Sequence, residues 1–86
     1  MPKISEFYGI VITMFHNDHA PPHSHARYAE HEAWIGIQPV RFLYGNLPRP
    51  QLRLVLAWAE IHEQELRDNW RRAMQHETLF RIAPLT

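Results

Sequence analysis

The sequence predicts an α+β domain: a three- or four-stranded antiparallel sheet packed against one long C-terminal helix. Three observations predict it. The first half is rich in β-branched and aromatic residues that alternate with polar ones, the period of half-buried strands. Proline clusters and a Gly45-Asn46-Leu47-Pro48 breaker punctuate those runs at intervals of strand length. After the breaker the apolar period changes from two to about 3.6, the spacing of a helix. At 86 residues the chain reads as a single domain over 1–86.

The first strand is expected over about residues 7–15, where Tyr8, Ile10, Ile12 and Met14 share one apolar face and Phe7, Val11 and Phe15 the other. Two apolar faces predict a central position. His16-Asn17-Asp18 ends the run, and Pro21-Pro22 forces an extended link. Residues 23–29 and 32–38 then read as a hairpin with Glu30-His31 at its tip. That register sets Ser24, Ala26 and Tyr28 beside Ile37, Ile35 and Ala33 on a core face. It sets His23, His25 and Arg27 beside Gln38, Gly36 and Trp34 on the other. A further strand is expected over 41–45, and a helix over 48–75 with Pro48 and Pro50 in its first turn. Leu52, Val55, Leu56, Ala59, Leu66, Trp70, Ala73 and Met74 form its core stripe, with Glu63–Arg67 and Asp68–Arg72 as flanking i,i+4 pairs. Residues 79–82 are expected as a last short strand or an extended tail.

Composition narrows the function classes. The chain is 45% hydrophobic and 21% charged, and its formal charge is zero. Residues 1–46 hold three Lys/Arg against four Asp/Glu, and the remainder six against five, so no basic face demands a polynucleotide. The absence of cysteine excludes disulfides, zinc ribbons and thiol catalysis. The N-terminal residues do not read as a signal peptide, and no apolar run has membrane-spanning length; a cytoplasmic protein with no membrane partner is the expectation.

The chemistry concentrates in one stretch. Four of the seven histidines, His16, His19, His23 and His25, fall within ten positions beside Asp18. Histidine serves proton transfer, metal ligation or anion binding near neutral pH. His19, His23 and His25 with Asp18 or His16 supply nitrogen and oxygen donors for a zinc-like divalent ion, and His23 and His25, two apart, share a strand face. The alternative is that these histidines only decorate a loop and an exposed strand. His23, His25, Arg27 and Trp34 also form a candidate binding face, with Arg27 stacked on Trp34 as a cation–π pair. Such a face suits a protein or an RNA, and two neighbouring histidines suit acid–base cleavage of RNA. Leu54, Trp58 and Ile61 lie off the core stripe, either as a homodimer or partner patch anchored by Trp58 or as a surface covered by the C-terminal segment. Glu30, Glu32, Glu60 and Glu65 read as solvated charge.

Several blocks carry a resemblance. Met1-Pro2-Lys3-Ile4-Ser5, Phe7-Tyr8-Gly9-Ile10-Val11-Ile12, Asp18-His19-Ala20-Pro21-Pro22-His23-Ser24-His25-Ala26, Gly45-Asn46-Leu47-Pro48 and Leu52-Arg53-Leu54-Val55 with Trp58 resemble a bacterial family catalogued as domain of unknown function 4160. The resemblance implies a one-domain cytoplasmic protein encoded beside another small protein, in a toxin–antitoxin-like pair. It implies Asp18, His19, His23 and His25 as functional residues. Ser24 departs from the pattern, where a larger apolar residue is frequent, as do Glu30-His31 and His76 where glycines are common. The leading expectation is therefore an interaction or regulatory component that binds a protein or RNA partner through the histidine face. The competing expectation is a nuclease-like or metal-dependent hydrolase in which His23 and His25 are catalytic.

Overall fold

In the computed structural model, which describes residues 2–86, five strands form one antiparallel meander in the order β1-β2-β3-β4-β5. They are β1 (Lys3–Phe7), β2 (Ile10–Thr13), β3 (His23–Tyr28), β4 (His31–Ile37) and β5 (Val40–Gly45). Two helices follow, α1 (Arg49–Ile61) and α2 (Glu63–Met74), and then an extended tail. The α+β class is as the sequence predicts, but the details are corrected in three places.

The first is the additional strand. The run over 7–15 is not one strand, because Tyr8 and Gly9 both adopt positive φ (51° and 79°) and turn the chain back on itself. Two positive φ values in a two-residue loop match the twist of a tight hairpin. Lys3–Phe7 thus becomes the edge strand and Ile10–Thr13 the second strand. The continuous apolar character of the run hides the turn.

The second is the hairpin register. The tip lies at Ala29-Glu30, with Ala29 at φ 53°, so His25 pairs with Trp34 and Ser24 with Ile35. The expected register is off by two residues. Because strand faces repeat every two residues, the division into core face and histidine face survives the slip.

The third is the helix. His62 separates α1 from α2, closing one helix and opening the next. Trp58, within α1, is covered by the C-terminal segment, the second of the two readings its position off the stripe allows. It is fully buried, donates its indole N–H to the Ala83 carbonyl at 2.8 Å, and lies 5.3 Å from the Phe7 ring. Trp58 is thus a core residue, not a partner anchor. Leu54 packs against the core and only Ile61 is well exposed, so the three make no homodimer patch. The expected i,i+4 ion pairs are also replaced: Asp68 pairs with Arg71, 3.3 Å away.

The C-terminal tail covers that side of the molecule without forming a strand. Ile82 is buried and its amide donates to the Ile4 carbonyl at 2.7 Å. Asn69, buried in α2, holds the tail in both directions: its Nδ2 donates to the Phe80 carbonyl and its Oδ1 accepts the Phe80 amide. The Arg72 guanidinium lies 3.9 Å over the Phe80 ring. Such a buried amide, satisfied on both sides, fixes the tail where apolar contact alone leaves it free to slide.

Candidate metal centre

The motif after β2 folds back over the face of β3 and β4 opposite Ser24 and Ala26. It brings Asp18 against His23 and His25, and both imidazoles are almost fully buried (2% and 7% exposed). They do not decorate an open strand. The His23 ring lies stacked on Trp34 of β4 at 5.0 Å and 16°, with Trp70 of α2 at 5.5 Å. The His25 ring takes the edge-on contact of Phe15 at 4.6 Å and of Trp34 at 5.2 Å. These aromatic walls fix both ring planes.

The hydrogen bonds fix which nitrogens point where. His23 Nδ1 lies 2.7 Å from the Pro21 carbonyl, which only accepts, so Nδ1 carries a proton. His25 Nδ1 donates to Glu32 Oε2 at 3.1 Å. Both Nε2 atoms then converge on one carboxylate oxygen, Asp18 Oδ2, at 3.2 Å from His23 and 3.1 Å from His25. The His23 Nε2 is buried and makes no hydrogen bond, since Asp18 lies out of line for one. Asp18 Oδ1 is held by the His19 amide at 2.7 Å. The ligand-type atoms of Asp18, His23 and His25 all lie within 4.8 Å of one another.

Two carboxylates and two imidazoles thus share a small volume. Burial pushes the Asp18 carboxyl up, but the His25 hydrogen bond, the His19 amide and the nearby charge of His23 and His25 together outweigh it and hold the carboxyl below its ordinary value of 3.8. A lowered folded-state value means that the unfolded chain binds this proton more readily. The stability Asp18 contributes is therefore present in full above its ordinary range and lost as pH falls through the lowered folded value. Asp18→Asn is expected to flatten the acid limb of the Tm–pH profile at and below the ordinary carboxyl value of 3.8, as thermal melts recorded by circular dichroism will show.

The remaining expected site residues are distributed differently. His19 is exposed and lines, with Pro21, His23, Trp34 and Tyr44, an open groove of about 340 Å³ beside the centre. His16 turns away, with Nε2 2.8 Å from the Glu77 carbonyl, past the end of α2. Arg27 is exposed and pairs across the strands with Glu32, so His23 rather than Arg27 stacks on Trp34. Glu32 is the residue that sequence reading misses. Its parity sets it on the histidine face, but the expected register, two residues off, sets it beside Ala29 and out of reach of His25. Its position is fixed from behind by Gly45, whose φ is +94° and where any Cβ runs into the Glu32 carbonyl oxygen; the Asn46 amide donates to that same oxygen at 2.8 Å.

Fold and site together define a small α+β meander domain with a buried Asp/His/His cluster backed by a glutamate. The chain belongs to the family described as Domain of unknown function (DUF4160), whose model matches residues 9–71. That span includes all four residues of the cluster. No curated protein and no solved structure matches the chain. Among the described residues, no helix is long and apolar enough to cross a membrane.

Proposed function

We propose that this chain is a small binding protein built around a zinc-like divalent-cation centre, and that it acts as the interaction or regulatory component of a cytoplasmic toxin–antitoxin-like pair. The single observation that carries the cation reading is the buried, unpartnered Nε2 of His23 beside Asp18 and the Nε2 of His25. With its Nδ1 proton held by Pro21, a neutral His23 ring keeps an unshared lone pair 3.2 Å from the Asp18 carboxylate, away from water. A second proton or a cation relieves that repulsion. Imidazole and carboxylate donors suit zinc. Histidines whose far nitrogen is held by a carbonyl or a carboxylate are the usual way such ligands are oriented.

Three protein donors leave a fourth position for water or for a group from a partner. A bound ion would supply Lewis acidity there. His23, Trp34 and Tyr44 border the adjoining groove, where a protein or RNA partner would meet the centre. The hydrolase reading uses the same three donors and adds turnover at the fourth position.

The test is a zinc titration of tag-free protein by calorimetry, with the histidine ring signals followed by NMR. One ion per chain is expected, shifting His23 and His25 and leaving His76 unmoved. Asp18→Asn and His23→Ala are each expected to abolish this binding. Asp18→Asn preserves the side-chain shape and guards against loss through misfolding. Absence of saturable binding, or its persistence in both variants, overturns the proposal.

A further inference from the structure

We infer that the cleft between α2 and the β4–β5 turn is a second site, which takes the phosphoryl group of a nucleotide-type ligand. The cleft measures about 200 Å³. Four of its side chains are donors: Gln38 from the turn, and Gln64, Arg67 and Arg71 from successive turns of α2. Trp70 and Ile37 give it an apolar floor, and no carboxylate lines it.

Spacing and pairing both point to an oxyanion. Arg67 and Arg71 are four apart, on one helix face, where like charges repel. Arg67 makes no ion pair among the described residues, although Glu63 stands at the favourable i−4 position; the ion pairs of α2 go elsewhere. Asp68 holds Arg71 at 3.3 Å and Gln64 at 3.1 Å through the same Oδ1, which orders two of the four donors without entering the cleft. Within the lining of the cleft the two guanidiniums meet no carboxylate. Guanidinium groups match phosphate oxygens in a fork, and amide N–H groups add to that recognition. The indole of Trp70 beside them provides a surface for a flat base.

Trp70 lines this cleft and also packs against His23 of the cation centre, so the site is tested on protein kept metal-free with EDTA. Inorganic phosphate, adenosine monophosphate and a 5′-phosphorylated hexauridylate are titrated separately, following the Trp70 indole and arginine Nε–H signals. Saturable shifts are expected with the mononucleotide. Arg67→Gln and Arg71→Gln are each expected to weaken binding about tenfold, the order of loss when one charge-assisted bond is removed. Saturation by the hexanucleotide alone assigns the same phosphoryl site to an RNA end. Shifts matched by sodium chloride at equal ionic strength, absence of shifts with all three probes, or binding unchanged in both variants overturns the inference. Zinc affinity is expected to be unchanged in the two arginine variants, so a failure here is distinguishable from a failure of the cation centre.

Discussion

Trp58→Ala is expected to destabilise the fold by about 3–5 kcal/mol, the usual cost of removing a large aromatic side chain from a core. The side chain is fully buried, so the loss includes both its transfer from water and the cavity left between β1, α1 and the tail. The tail is held in part by the bond from the indole N–H to Ala83, and the truncation leaves that carbonyl without its donor. Small domains have total stabilities of about 5–15 kcal/mol, so such a loss leaves little in reserve. Urea unfolding monitored by circular dichroism measures it. Trp58→Phe separates the terms: it keeps most of the apolar contact with Phe7 and removes the hydrogen bond, and a cost of about 1–2 kcal/mol is expected. A Trp58→Ala protein as stable as the parent refutes the assignment of Trp58 to the core.

Glu32→Gln is expected to lower zinc affinity about 10–100-fold while changing stability little. The carboxylate holds the Nδ1 proton of His25 at 3.1 Å, which fixes the ring and makes its Nε2 a stronger electron-pair donor toward a cation. A neutral amide still accepts a hydrogen bond but does not raise that basicity. Its side chain is 44% exposed, so the substitution does not strand a buried charge. Glu30→Gln is the control, since Glu30 is 83% exposed and among the described residues pairs only with His31, at 3.5 Å. Calorimetric titration of the two variants in parallel checks the prediction; equal affinities refute the role assigned to Glu32.

Glu32 and Trp58 also mark where sequence reading stopped. Both misassignments have a geometric origin, not a compositional one. Glu32 lies on the expected face but two residues out of register, because the hairpin turns at Ala29, a non-glycine residue with positive φ. Turn preferences favour glycine or asparagine there, so nothing local marks the position. Trp58 lies beside the core stripe of α1, and its burial depends on Phe7 and on the tail at Ala83, segments distant in the chain that no helical period reveals.

By itself the sequence determined the α+β class, the alternation that separates Ser24 and Ala26 from His23 and His25, and the concentration of donors between Asp18 and His25. Those features depend on residue type and on periods of two and 3.6, which are local. Only the tertiary structure decided that the two imidazoles are buried between aromatic rings, that their Nε2 atoms meet at one carboxylate oxygen, and that Glu32 completes the set. It also decided that the tail, held by Asn69 and Trp58, covers the helix face left open by the sequence pattern. The physical reason is the same in each case. Burial, register and ring orientation are set by contacts between segments distant in the chain, and the free energy that selects among them belongs to the packed whole.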